Sequence, residues 1–286
     1  MIGTVLVIMF AVLVALIVVS RWCWPLPPQI GTRKTSAPLV KGETTVLTVG
    51  TFNIHRARGL DGRKDLPRVA QVVSTCDVTG LQEVEGVTLF HRQSQAERLA
   101  KQLQCEVHFS PTRLRAFFPE RGNALLSQWS ITAWRRQPLV RERLRGKGYR
   151  NFTEYTVQVG GHPVVVINTH LSKPEGKNTG LEKIVAVFMR HERAVLIGDF
   201  NRPPGHESFA CLYDAGAIDA LSSEDSQRVD HIFVRGFQVL SSWALPPGPS
   251  DHPFFAVRLS LQSAFATNHR SGNLNLWAAR AVFACC

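Results

Sequence analysis

Asp199 and Asn201 stand two residues apart where the apolar run Ala194-Val195-Leu196-Ile197-Gly198 gives way to the loop Arg202-Pro203-Pro204-Gly205. Residues i and i+2 of a β-strand share a face, so the spacing predicts that the two side chains project together from a strand end. A carboxylate there can accept a proton or hold a cation, and an amide can donate a hydrogen bond. An unpaired carboxylate is costly to bury, so the pair reads as part of a site. The pattern recurs along the chain: Asn53, Glu83, Asn168 with His170, Asp230, and Asp251 with His252 each end or closely follow an apolar segment. A lone histidine beside a strand is more often structural, and a lone glutamate after one is usually solvated. The argument lies in the series, because functional side chains gather on loops at one edge of a sheet scaffold.

The residue types define a chemistry. Hard oxygen ligands without thiolates suit Mg²⁺ or Mn²⁺, ions that keep several waters and meet substrate phosphate. Attack on a phosphate ester needs a positioned water, neutralised phosphoryl oxygens and help for the leaving group. A carboxylate–imidazole pair supplies the proton handling.

The elements that must position these residues follow from periodicity. Val46 to Phe52 reads as a strand ending at Asn53, and Val78 to Leu81 as a strand ending at Gln82-Glu83. Asp65 caps a helix whose Leu66, Val69, Ala70 and Val73 form one stripe, with Pro67 tolerated in its first turn. Residues 94–104 and Leu181 to Arg193 read as helices, and Ala124 to Leu126 as a strand. Phe152 to Val159 and Val164 to Asn168 form a hairpin around Gly160-Gly161. Ala194 to Ile197, Ile232 to Val234, Gln238 to Trp243 and Phe254 to Leu259 complete the strands. The mixture predicts an α+β domain with large mixed sheets over residues 45–262.

The chain has 286 residues, 44% hydrophobic and 19% charged, with a net charge of +11 and no internal repeat or low-complexity block. The excess of positive charge favours anionic partners: nucleic acid, phosphorylated metabolites or lipid headgroups. Arg135, Arg136, Arg141, Arg143, Arg145, Lys147 and Arg150 concentrate it. They read either as a solvated hairpin or as a surface steering phosphate-rich substrate, with Arg150 the residue expected to reach it. None of the six cysteines forms a CxxC pair or sits at zinc-ligand spacing. Cys76, Cys105 and Cys211 read as buried free thiols, which points to a reducing compartment, with a Cys76–Cys105 pair left open. The terminal Cys285-Cys286 has the look of a lipidation signal without further support.

Ile2 to Ser20 carries no charge. At about 1.5 Å per residue its length approaches the hydrocarbon thickness of a bilayer. The reading is an uncleaved transmembrane anchor over residues 1–20, ahead of a Pro-, Thr- and Ser-rich linker over 21–44, and hence a membrane localisation by a single N-terminal pass. A cleaved signal peptide is the competing reading, weakened by the absence of a basic residue before the run. The basic residues that follow favour a cytoplasmic domain, although long domains also translocate. Residues 263–286 read as a loose tail, and no obligate protein partner is expected.

Seven motifs occur in order: Thr51-Phe52-Asn53-Ile54-His55, Gly80-Leu81-Gln82-Glu83-Val84, Gly122-Asn123-Ala124-Leu125-Leu126-Ser127, Asn168-Thr169-His170-Leu171, Gly198-Asp199-Phe200-Asn201, Val229-Asp230-His231-Ile232 and Ser250-Asp251-His252-Pro253. With them the chain resembles the endonuclease/exonuclease/phosphatase superfamily, whose fold is that of deoxyribonuclease I, across residues of about 45–261. The resemblance implies a four-layer α/β/β/α sandwich of two packed mixed sheets and a metal-dependent phosphoesterase acting on a nucleic-acid or phospholipid phosphodiester. It implies Glu83 as the principal ligand of Mg²⁺ or Mn²⁺, with Asn53 and Asp251 supporting the metal site. Asp199 would orient or deprotonate the attacking water and Asn201 would bind phosphate. His252 would meet the scissile phosphate, with its tautomer set by Asp230, and His170 would be a further catalytic histidine, loosely paired with Glu120. Asn53, Asn123 and Arg150 are the substrate-binding candidates. His55, His231 and Asp61 read as peripheral. An abasic-site endonuclease is disfavoured, because that branch lacks the histidine and its tyrosine has no counterpart here. The alternative from another class is a catalytically silent, membrane-tethered scaffold that binds anionic ligands. Decay of that kind would cost one of Glu83, Asp199, Asp230 and His252, and all four are present.

Overall fold

The Asp65 carboxylate accepts the backbone N–H of Arg68 at 3.2 Å and so starts α2 (Leu66–Val73), with Pro67 in the first turn where no N–H is needed. Leu66, Val69, Ala70 and Val73 are all buried, as their spacing requires. Ser94 and Glu97 form a reciprocal capping box at the start of α3 (Gln95–Leu103). The remaining helices are α1 (Ile2–Arg21), α4 (Thr179–Phe188) and the short α5 (Ala210–Asp214). The computed structural model describes residues 2–21, 23–33, 44–88, 91–115, 118–139, 148–173, 179–221 and 224–261. The tail, the terminal cysteines and residues 141–147 of the basic stretch lie outside the described residues.

The strands form two seven-stranded sheets. The first runs β1 (Cys23–Pro25), β5 (Glu106–Arg115), β6 (Phe118–Ser127), β4 (Val78–Glu85), β3 (Val46–Asn53), β14 (Phe254–Ser260), β13 (Gln238–Leu245). The second runs β11 (Ile218–Asp219), β12 (Asp230–Arg235), β10 (Ala194–Asp199), β9 (His162–His170), β8 (Asn151–Val159), β7 (Ser130–Pro138), β2 (Gln29–Thr32). Both are antiparallel except for one parallel pair each, β3 with β4 and β9 with β10. Val49, Leu125, Tyr155, Val166, Ile197 and Phe255 fill the space between the sheets. Val69, Leu81 and Leu99 pack under α2 and α3, while Ile184, Phe188 and Leu196 pack under α4. The expected two-sheet sandwich with flanking helices is the fold observed.

One end of the inter-sheet layer is polar. Asn168, fully buried on β9, donates to the carbonyls of Leu81 (3.2 Å) and Ala124 (2.8 Å) in the opposite sheet. Its own carbonyl accepts Gln82 Nε2 at 2.8 Å. Gly80 makes this approach possible, since a Cβ there would lie 2.5 Å from Ile197 and 3.0 Å from Asn168. Asn123 on β6 donates to Asn151 on β8 at 2.9 Å and is likewise buried. Asn123, a substrate-binding candidate from the sequence, ties the two sheets together beneath the surface.

Two expectations about the N-terminal region are revised. Residues 23–32 are not a free linker. β1 adds to one sheet with Cys23 opposite Arg115, and β2 adds to the other with Gly31 opposite Trp134. Tyr149 Oη donates to the Cys23 carbonyl at 3.0 Å, and Arg136 Nη2 donates to that of Pro27 at 3.0 Å. Pro25 in β1 and Pro27 and Pro28 between the two strands mask them in the sequence, yet short edge strands with proline in or beside them are what sheet edges tolerate. The expected transmembrane helix is not found. α1 forms over Ile2–Arg21. Among the described residues no helix is long and apolar enough to cross a membrane.

Cys76 is a buried and Cys105 a half-buried free thiol, so the pairing left open for them is not formed, and Cys211 is half-buried. Burial pushes the Cys76 thiol up to about 12. Replacing Asn168 with alanine leaves two buried carbonyls and Gln82 without their partner, a loss of about 3 kcal/mol at about 1 kcal/mol or more per orphaned group. Urea unfolding monitored by tryptophan fluorescence measures it.

Candidate active site

The parallel pairs β3/β4 and β9/β10 deliver their C-terminal ends to the same edge of the sandwich. Asn53 pairs in register with Gln82, Asp199 pairs with His170, and Asp199 also faces Asp230 on β12. Asn53 Nδ2 crosses between the sheets to donate to Asp199 Oδ2 at 3.0 Å. His252 arrives on the loop before β14, anchored by Ser250, whose hydroxyl donates to the Asn53 carbonyl at 2.6 Å. Its Nδ1 lies 2.7 Å from Asp230 Oδ2, and its Nε2 lies 3.9 Å from Asp199 Oδ2. Two carboxylates and an imidazole, drawn from both sheets, thus form one cluster.

Asp199 and Asn201 meet, but not by sharing a strand face. β10 ends at Asp199, whose Oδ1 accepts the Asn201 backbone N–H at 2.9 Å, and Asn201 adopts φ +52. This is a side-chain-closed turn. Gly198 prepares it with φ +147, and a Cβ there would lie 2.0 Å from the Thr169 carbonyl oxygen. Asn201 Nδ2 donates to the Leu171 carbonyl at 2.8 Å and stands 3.3 Å from His170 Nε2. His170 Nε2 is 3.2 Å from Asp199 Oδ2.

Glu83 reaches the same edge through an irregularity. The register of β4 against β6 slips between Leu81 and Val84, and Glu83 takes φ +54. A bulge of this kind re-aims a side chain that regular alternation would send to the opposite face from buried Gln82. Arg121 Nη1 forms an ion pair with Glu83 Oε2 at 3.6 Å. Arg121 was not anticipated, and its only signal in the sequence is its place two residues before Asn123.

The electrostatics separate the groups. Burial, and then the charge of Asp230, raises Asp199 to about 7 against the pull of His252, Asn53 and the Asn201 backbone. Burial pulls His252 down, but its hydrogen bond to Asp230 and the charges of Asp230, Asp199 and Asp251 outweigh this and lift it to about 9. Burial, followed by the positive charges of Arg150, His252 and Arg121, holds His170 well below the ordinary histidine range.

The donor set suits a hard divalent cation. Glu83 and half-exposed Asp251 offer carboxylate oxygens, Asn53 keeps one carbonyl lone pair beyond its bond from His55 N, and no thiolate is near. The buried Asp230 Oδ1 has no hydrogen-bond partner. Ligand atoms of Asp199, Asp230 and His252 also lie within 4.8 Å of one another, although the Asp230 bond already engages His252 Nδ1. No contact joins Asp251 to Glu83 among the described residues: Asp251 pairs with His55 Nδ1 at 3.3 Å. Glu120, loosely expected beside His170, instead binds Arg113 at 2.7 Å and Arg115 at 3.1 Å, and Arg150 takes the place at His170 Nδ1 at 3.1 Å. His231 is buried, its Nε2 2.8 Å from the Arg202 carbonyl oxygen, and Asp61 pairs with Arg68 at 3.0 Å, both apart from the cluster.

Comparison with known proteins identifies the family and the fold. The model of the endonuclease/exonuclease/phosphatase family matches residues 50–252. An endonuclease/exonuclease/phosphatase from Beutenbergia cavernae DSM 12333 superposes with a TM-score of 0.62 at 25% identity, covering 76% of this chain and 72% of that one. A mannosyl-6-phosphatase of Bacteroides thetaiotaomicron VPI-5482 gives 0.57 at 19% identity, over 74% and 99%. A 2′,3′-cyclic phosphatase gives 0.59 at 13% identity, over 82% and 98%, and with the preceding structure it supports the fold alone. No curated protein matches the sequence.

The Asp230–His252 bond has a spectroscopic signature. The His252 ring is expected to titrate near pH 9, and Asp230→Asn to lower that midpoint by about 1–3 units by removing the bonded charge. Histidine-selective NMR across the titration reads both values.

Proposed function

The chain belongs to the endonuclease/exonuclease/phosphatase family, and on that premise we propose that it is a membrane-associated, Mg²⁺- or Mn²⁺-dependent phosphodiesterase that cleaves its substrate by direct attack of water. The observation that carries the reading is the Asp230–His252–Asp199 cluster. It sets a carboxylate able to take a proton at neutral pH beside an imidazole that keeps one. Groups whose environments drive their pKa values apart can divide acid and base work between them.

Asp199 accepts the proton of the attacking water while Asn53 and the Asn201 backbone hold its oxygens in place. The water oxygen bonds to phosphorus as the bond to the leaving oxygen breaks. Asp230 takes the Nδ1–H of His252, which leaves Nε2–H to meet the phosphoryl group and to protonate the leaving oxygen. Asn201 and Arg150 direct amide and guanidinium donors at the phosphoryl oxygens, where charge grows in the transition state. A divalent cation held by Glu83 with Asn53 and Asp251 would neutralise phosphoryl charge and ease deprotonation of water.

A nucleic-acid or phospholipid phosphodiester is the proposed substrate class, supported by the net charge of +11. Membrane association rests on α1, where Val7, Phe10 and Leu16 expose 68%, 69% and 62% of their surfaces. An apolar face of this kind, left uncovered by the domain, suits lipid.

Purified protein is expected to hydrolyse bis(4-nitrophenyl) phosphate with Mg²⁺ and to stop with chelator. Asp199→Ala or His252→Ala lowers kcat by about 10²–10⁴-fold, the usual reach of one acid or base, with unfolding midpoints retained. Wild-type activity in either variant refutes the assignment. kcat/KM rises through pH about 7 as Asp199 ionises and falls through about 9 as His252 loses its proton. Full-length protein floats with phosphatidylcholine vesicles, and Leu13→Arg combined with Val14→Arg releases it.

A further inference from the structure

Arg150 lies just ahead of β8, and its Nη1 is 3.1 Å from His170 Nδ1. A guanidinium has five N–H donors, no acceptor and a proton that it does not release. The contact is a hydrogen bond only if His170 Nδ1 carries a lone pair. A neutral ring then has its hydrogen on Nε2, which faces Asp199 Oδ2 at 3.2 Å and completes a second hydrogen bond.

The other ring states fail on the same contacts. With hydrogen on Nδ1 alone, that N–H opposes the Arg150 donor and the bare Nε2 opposes a carboxylate oxygen. Its one remaining partner would be the second hydrogen of Asn201 Nδ2, at 3.3 Å a longer contact than the 2.8 Å bond that amide makes to the Leu171 carbonyl. A doubly protonated ring turns an N–H and a positive charge on Arg150. Nor does Glu120 accept from Nδ1, because Arg113 and Arg115 hold its carboxylate.

We propose that Arg150 is a positioning residue that holds His170 as the neutral Nε2–H tautomer, so that His170 serves Asp199 as a hydrogen-bond donor and does not transfer a proton. Acid duty then falls to His252 alone. The buried Arg150 Nε has no hydrogen-bond partner, so the protein leaves part of this guanidinium unengaged. The assignment of the ring rests on geometry. Its consequence for turnover rests on the hydrolytic reading above.

Two-bond ¹⁵N–¹H correlation spectra of the histidine-labelled full chain test the proposal without turnover, with His170→Gln identifying the His170 signals. Wild type is expected to show the Nε2–H pattern. Arg150→Lys keeps that pattern because ammonium also only donates, while Arg150→Met gives a mixture of tautomers. A wild-type ring with hydrogen on Nδ1, or a pattern unmoved in Arg150→Met, overturns the proposal. With bis(4-nitrophenyl) phosphate and Mg²⁺, Arg150→Met lowers kcat by about 10–100-fold and raises KM. Arg150→Lys recovers most of kcat but leaves KM raised, since it lacks the fork. Lysine no better than methionine in kcat also counts against it. The expected ring pattern without any turnover refutes the hydrolytic reading and leaves the assignment of the ring standing.

Discussion

Everything at the reactive edge depends on a buried polar clamp between two sheets that elsewhere meet through apolar side chains. Asn168 reaches from β9 to two carbonyls and to Gln82 in the opposite sheet, with no surface exposed to water. A buried amide is tolerated only when its hydrogen bonds are made, so this set fixes both the separation of the sheets and their relative slide. One strand position further on, Asn53 makes its own crossing to Asp199. The carboxylate that would handle the proton is therefore held from both sheets.

That rigidity lets the site carry unfavourable local features. Asp199 and Asp230 are both buried, and their mutual repulsion is part of what lifts Asp199. Glu83 and Asn201 both hold left-handed backbone conformations that ordinary side chains disfavour. Strain and charge of this kind persist only where surrounding contacts over-determine the geometry, as the register of β3, β4, β9, β10 and β12 does here. The chain also departs locally from a simple carboxylate–histidine plan at His170, where a cation stands at Nδ1. That substitution changes which atom of the ring holds hydrogen, and so separates the work of His170 from that of His252.

Much of the scaffold is legible in the amino-acid order because its causes are local. The Asp65 cap and the stripe beneath α2 lie within nine residues, and both form as the pattern requires. Strands β3, β9, β10, β12 and β14 announce themselves as apolar runs. Strands β1 and β2 do not, since Pro25 in β1 and Pro27 and Pro28 ahead of β2 read as linker, and what makes them strands is the pair of open sheet edges they join. The site was legible as a series of polar strand ends, yet two details were not. Asn123 serves the clamp, and Glu120 belongs to Arg113 and Arg115.

The sequence by itself determined which residues could do chemistry, the family they belong to, and the order in which strands and helices deliver them. Those properties depend on side-chain type and on short-range periodicity, which a linear chain displays directly. Only the tertiary structure decided which nitrogen of which histidine meets which carboxylate, and that Glu83 turns to the reactive edge through a bulge. It also decided that Arg150 would be the neighbour of His170. These outcomes depend on sheet register and on distances between residues far apart in the chain, where a one-residue slip sends a side chain to the opposite face.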